Sequence, residues 1–167
     1  IAATDAVARP LRDNARIVLT GAFCEQPPLS LIKSIEMAGC YIVDDDFMLV
    51  MRMLFDDVVE TGDPLEELSK SFLHRSIQTS SKYDEFKKDK GKYLLDSTKL
   101  NAGEGVIFAA PSFCDPALLE RPMLQSVLTE HKIPYTAFKY AENTGQMAPI
   151  REQAGTFADS IKLWSAA

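Results

Sequence analysis

The stretch Gly105–Pro116, GVIFAAPSFCDP, decides the fold. Val106, Ile107, Phe108 and Ala109 form a short unbroken apolar run, the pattern of a strand buried on both faces at the centre of a parallel sheet. Pro111 has no N–H to give to a ladder, so the strand is expected to end there. Asp115-Pro116 then reads as a helix N-cap followed by a proline at the first helical position, opening ALLERPMLQSVLTEH as a helix. Cys114 falls in the turn between them. The carboxyl edge of an open α/β sheet faces the ligand crevice, and the unpaired N–H groups of a helix start favour negative charge. A thiol held there is biased towards thiolate, which ligates soft metals or attacks electrophiles. Equally, the same residue can pack as a small apolar side chain.

Working outward, Arg16–Thr20 (RIVLT) is a compact β-branched run stopped by Gly21, a first buried strand. In LSLIKSIEMAG, Leu29, Ile32 and Ile35 recur at helical spacing between Pro28 and Gly39, and CYIVDDD follows as a second strand. Strand, helix, strand makes one βαβ unit with a right-handed crossover. Residues 47–59, FMLVMRMLFDDVV, are apolar at nearly every position and read as a buried helix or an irregular lid on the crevice. Asp63-Pro64 opens the helix LEELSKSFLHRSI, Asp63 as its N-cap. The charged run 79–93 is a connection or the exposed start of a helix reaching Leu100. After the central strand and its helix, YTAFKY reads as a further parallel strand. Ile150, Ala154, Phe157, Ile161 and Trp164 line one side of a terminal helix.

This order predicts a doubly wound α/β domain, a flavodoxin- or Rossmann-like four-stranded parallel sheet with helices on both faces. The expected strand order is 2-1-3-4, with the switch point between the first strand and the one ending at Pro111. Residues 1–15 read as a short helix or linker and 16–167 as the domain proper; Ile1 at the start suggests a piece of something longer.

The totals narrow the chemistry. A net charge of -6 argues against a nucleic-acid binder. No apolar run approaches the length of a bilayer span and no signal pattern opens the chain. Cys24, Cys40 and Cys114 form no CxxC pair, and an odd count suits a reducing, cytoplasmic setting. The first loop, LTGAFCEQPP, has one glycine where a dinucleotide fingerprint needs three, and Phe23, Pro27 and Pro28 would block a pyrophosphate. Asp44, Asp45 and Asp46 could otherwise have held a ribose hydroxyl; the plainer reading is a solvated strand end or a helix cap. Phosphate-loop, nucleophile-elbow and zincin motifs are absent from the sequence. His74 and His131 read as structural, and Cys40, at the amino end of its strand, as core filling. Cys24 follows the first strand on the ligand side, where it either lines a site or packs. Arg151 in QMAPIREQ either clamps an anion or faces solvent.

GVIFAAPSFCDP resembles the cluster-ligand segment of the benzoyl-CoA reductase and 2-hydroxyacyl-CoA dehydratase family, in which an FCDP cysteine after a strand is one of three protein ligands to an iron–sulfur cluster. RIVLTG and LIKSIEMAGCYIVDDD are similar to the opening βαβ of that family's carboxyl-terminal domain. ENTGQMAPIREQAGTFADSIKLW resembles its closing loop and helix, most like the larger, B-type cluster-bearing subunit of the ATP-dependent reductases. The resemblance covers residues 12 to 165.

The resemblance implies a subunit of two Rossmann-like domains with a 4Fe-4S cluster between them, paired with a homologous cluster subunit. ATP acts only through a partner, an iron–sulfur activator that delivers low-potential electrons, and the substrate is an aryl- or acyl-CoA thioester. It further implies one-electron reduction of the activated ring to a radical anion, then protonation to a cyclic diene. Carried over to this sequence, it makes Cys114 one cluster ligand, the others lying in an amino-terminal half that this chain lacks. Phe113, Cys24, Gln146 and Arg151 become candidates to line the site. The rival readings are a 2-hydroxyacyl-CoA dehydratase component and a metal-free α/β binding module.

Overall fold

The computed structural model describes residues 12–21, 27–46, 57–74, 91–141 and 147–165. Among them, four parallel strands run in the order β2-β1-β3-β4: β1 (Ala15–Thr20), β2 (Cys40–Asp45), β3 (Gly105–Pro111) and β4 (Tyr135–Tyr140). The helices are α1 (Leu29–Met37), α2 (Pro64–His74), α3 (Lys92–Leu100), α4 (Asp115–Glu130) and α5 (Met147–Ser165). This is the doubly wound α/β fold and the strand order that the apolar runs predict.

The two strand faces bury separate clusters. Ile17, Leu19, Ile107 and Ala109 point to one side, where Leu31 and Ile35 of α1 and Ile150, Ala154, Phe157 and Ile161 of α5 cover them. Val18, Val106 and Phe108 point to the other, against Leu94 and Leu95 of α3 and Leu124 and Leu128 of α4. Consecutive residues of β1 and β3 are thus buried on opposite faces, which is why these strands read as unbroken apolar runs. The terminal-helix stripe holds at Ile150, Ala154, Phe157 and Ile161; the side chain of Trp164 lies outside the described residues.

Several boundaries differ from expectation. β3 is longer than its apolar run, extending from Gly105 through Pro111. Pro111 does end the strand, yet the ladder gains one further bond beyond it, because the Ser112 N–H donates to the Tyr140 carbonyl at 2.7 Å. The helix after it begins one residue earlier than expected. Cys114, not Asp115, is the N-cap, since its carbonyl accepts the first helical bond from Leu118 N at 3.2 Å. Asp63 caps α2 as expected, its carboxylate accepting from Leu65 N at 2.9 Å and Glu66 N at 3.0 Å. Of the lid or buried helix expected at 47–59, residues 47–56 lie outside the described residues, and Val59 is irregular and exposed. The charged run resolves from Lys92 onward as α3, its earlier part at 79–90 again lying outside the described residues.

Gly105 opens β3 at a close approach. A Cβ there would lie 2.8 Å from both Ile161 Cδ1 and Phe157 Cζ of α5. Glycine is what allows the last helix to settle on the start of the central strand. Gly105→Ala is therefore expected to lower the unfolding free energy by about 1–3 kcal/mol through overpacking, measured by urea denaturation.

Candidate functional site

At the carboxyl edge the strands end at unequal heights. Thr20, the last residue of β1, pairs with Phe108, whereas β3 continues through Ala109, Ala110 and Pro111 alongside β4. The end of β3 therefore stands above β1 at the switch point, where the two crossovers diverge, and the notch beside it is the expected ligand position of this fold.

The turn leaving that overhang carries Cys114. Cys114 N donates to the Pro111 carbonyl at 3.1 Å, closing a four-residue turn, and Asp115 N reaches the Phe113 carbonyl at 3.2 Å. Phe113 is the third residue of this turn and has φ +67°. Glycine usually fills that position when φ is positive, and a side chain there costs roughly 1–2 kcal/mol. The Phe113 ring is 96% exposed. Cys114, next to it, is 8% exposed and packs with Ala110, Ala117 and Leu118. Small neighbours let the sulfur sit at the mouth of the sheet in a thin shell of packing, outside the two main clusters.

A second group, with no chemical motif to mark it in the sequence, fixes the neighbouring strand ends. Asp46 is 3% exposed. Its carboxylate accepts from Thr20 Oγ1 at 2.7 Å, Gly21 N at 3.1 Å and Tyr93 Oη at 3.2 Å. It ties the end of β2 to the start of the first loop and to α3. Asp44 is likewise engaged, accepting from Ser97 Oγ and, at 3.0 Å, from Asn101 Nδ2. A bulge explains its direction: Ile17 pairs with Ile42 but Val18 with Asp44, leaving Val43 as the extra residue. Val43 and Asp44 can then both address the α3 side. The expectation of a solvated strand end or helix cap is thus corrected at both positions. The signal available in sequence is the aspartate run placed directly on a buried apolar strand.

The remaining candidates are dispersed. Arg151 is exposed on α5, in the helix that begins at this edge. Cys24 and Gln146 lie outside the described residues, so the expected neighbourhood of Cys24 and Cys114 falls there too. His74 is exposed, and His131 caps the far end of α4 with Nδ1 2.9 Å from the Val127 carbonyl. Cys40 is fully buried at the opposite edge, its Sγ 3.9 Å from the Ala154 carbonyl. Burial pushes its thiol up to about 11, with Lys162 pulling down and Glu36 pushing up. That is the core-filling role expected of it.

Chemically, the edge offers one soft sulfur donor on a well-braced turn. No group of three or more metal-ligating side chains occurs among the described residues. Cys114 can therefore give a metal centre one ligand and needs donors from elsewhere to complete it.

Comparison with known proteins agrees with this geometry. The sequence model of the family described as "2-hydroxyglutaryl-CoA dehydratase, D-component" matches residues 2–161. The chain is 66% identical over 165 residues to the C-type subunit of benzoyl-CoA reductase from Thauera aromatica, covering 99% of this chain and 43% of that protein. It is 28% identical over 149 residues to the (R)-phenyllactyl-CoA dehydratase beta subunit of Clostridium sporogenes, covering 89% and 38%. It is 24% identical over 151 residues to the beta subunit of (R)-2-hydroxyglutaryl-CoA dehydratase from Acidaminococcus fermentans, covering 89% and 39%. The chain spans about two fifths of the length of these curated relatives. The reductase relative is of the C type, whereas the closing loop and helix point to the larger, B-type subunit; the family is the same.

Two outcomes test this edge and its opposite. Asp46→Ala strands the Thr20 hydroxyl and Gly21 N–H, and is expected to cost about 3 kcal/mol of unfolding free energy, Asp46→Asn clearly less; urea denaturation reads both. The Cys40 thiol is stabilising in its neutral form, fully so below its ordinary value near 9 and no longer once pH has risen through about 11. Across that window stability is expected to fall by up to about 2 kcal/mol through this group, and Cys40→Val to remove that part of the slope.

Proposed function

We propose that this chain, which belongs to the 2-hydroxyglutaryl-CoA dehydratase D-component family, is the carboxyl-terminal lobe of an iron–sulfur subunit of an ATP-dependent benzoyl-CoA reductase. In this reading 1–15 lead in from a preceding half and 16–167 form the lobe. The observation that carries the choice is the 66% identity to a benzoyl-CoA reductase subunit, against 28% and 24% to two dehydratase subunits.

Cys114 fits a 4Fe-4S cluster as a single ligand, by its soft donor atom and its place at the carboxyl edge. Its companions come from the rest of the subunit, consistent with relatives more than twice as long. The cluster, when bound, supplies low-potential single electrons for reducing the aromatic ring of an aryl-CoA thioester to a cyclic diene. The contribution of this chain is placement. Pro111, the bond from Ser112 to Tyr140 and the turn onto α4 hold the thiolate at a fixed height, so little rearrangement is needed when the other lobe docks. Phe113, Leu119 and Met123, all exposed at this end of α4, give that lobe apolar surface to cover. Arg151 offers a positive charge at the same edge for an anionic substrate group. Cys24 and Gln146 are retained as lining residues because each lies in a segment that follows a strand ending there. A homologous cluster subunit and an ATP-driven iron–sulfur activator complete the assembly, in the cytoplasm.

The family description and the dehydratase subunits among the relatives favour a second reading, in which the same electron injection drives dehydration of a 2-hydroxyacyl-CoA. The full-length subunit, assembled anaerobically with its partners, separates the two. Consumption of benzoyl-CoA is expected, and turnover of 2-hydroxyacyl-CoA alone would remove the reductase assignment. In the same assembly Cys114→Ser is expected to lower bound iron and abolish turnover. Unchanged iron and activity would instead favour a metal-free binding module.

A further inference from the structure

The Phe113 ring stands in a conformation that its own lobe does not reward. Its φ of +67° at the third position of the turn suits glycine, and its exposure of 96% means that hardly any packing within the described structure offsets the strain. Ala102 and Lys132 also have positive φ, but neither carries a large apolar side chain or lies on the carboxyl edge. The turn that strains Phe113 is also the one that delivers Cys114, since Cys114 N closes it on the Pro111 carbonyl at 3.1 Å. Ring and sulfur are consecutive on one braced turn, the ring outside and the sulfur within.

We propose that Phe113 is a water-excluding cover for the metal centre held by Cys114, its ring lying over the solvent side of that centre once the subunit is whole. This rests on the reading of Cys114 as a cluster ligand. Strain at functional sites persists where the side chain is needed in that place. A cluster at a lobe interface needs such a screen, because water stabilises the more negatively charged reduced state and gives chelators and oxidants a path to iron. An apolar ring meets this need without adding a competing ligand or charge.

The test uses the full-length subunit in its anaerobic complex, comparing wild type, Phe113→Gly, Phe113→Tyr and Cys114→Ser. Three readouts are taken: the rate of iron extraction by a ferrous chelator, the cluster midpoint potential and the thermal midpoint of unfolding. Phe113→Gly relieves the backbone strain and removes the ring. It is expected to release iron about tenfold faster and to shift the midpoint potential upward, with no fall in thermal stability. Phe113→Tyr is expected to stay near wild type in all three. Extraction rate and potential unchanged in Phe113→Gly would overturn the cover. So would a Tyr variant that behaves like the Gly variant, or faster release accompanied by a lowered thermal midpoint, which would make the ring a packing element of the fold. If wild type and Cys114→Ser hold iron equally, the cluster reading fails and takes the cover with it; if only Cys114→Ser loses iron, that reading stands and the Phe113 comparison decides by itself.

Discussion

The structure depends on the burial of β3 between β1 and β4, and on its reaching further than β1 does. Val106 through Ala110 are all buried, so both faces of the strand are committed to core packing and the strand cannot slide without exposing apolar surface on one side or the other. Pinned in this way, its last three residues rise beyond Thr20 at a height set by the sheet register. Cys114 inherits that height through a single turn. The position of the sulfur is thus a consequence of core packing.

The side chains along the overhang are graded in size to suit this. Phe108 fills the α3/α4 cluster and meets Tyr135 edge-on, with ring centroids 5.9 Å apart. Two residues further on the same side, Ala110 leaves room for Cys114 and Ala117 to close over it. A larger residue at 110 would push the start of α4 outward and carry the thiol away from the sheet. On the other side of the notch the Asp46 carboxylate takes over the bracing role, because the end of β1 has no strand neighbour at the level of the overhang. Its bonds to Thr20, Gly21 and Tyr93 join strand, loop and helix by directed polar contacts. One wall of the notch is fixed by apolar packing and the other by a buried carboxylate.

How much of this the sequence discloses depends on the kind of force involved. Apolar periodicity reports burial directly, so the four strands, their order and the buried stripe Ile150, Ala154, Phe157 and Ile161 are legible in it. Features set by a single residue of register are not. Asp44 and Asp46 look like a polar strand end because nothing local shows that Val43 is a bulge or that Tyr93, 47 residues away from Asp46, brings its hydroxyl to that carboxylate. The shift of the N-cap from Asp115 to Cys114 has a similar origin. Both residues can begin a helix, and the choice falls to the turn that Pro111 and Cys114 close. The strain at Phe113 is hidden for the same reason, as no propensity predicts an aromatic residue with positive φ. The site candidates are legible only in part: Cys114 and Phe113 share one turn, Arg151 stands apart on α5, and Cys24 and Gln146 lie outside the described residues.

The contrast between Cys40 and Cys114 shows what separates a structural thiol from one placed for chemistry. Cys40 is sealed beneath α5 at the amino edge, where burial makes the thiolate costly and the sulfur serves as a small apolar side chain. Cys114 is also shielded, but by alanines at the mouth of the sheet, on a turn whose neighbouring ring is turned out to solvent. One shielded sulfur cannot retain a polynuclear metal centre, because affinity for such a centre comes from several thiolates acting together. What a single lobe can contribute is a fixed direction and distance for one of them. A rigid strand end does this better than a long loop would, since the ordering of the thiolate is completed when the sheet folds and is not charged again against binding. The same division of labour accounts for a well-packed lobe that carries one donor: it specifies where the sulfur stands, and the opposing part of the subunit supplies the remaining bonds.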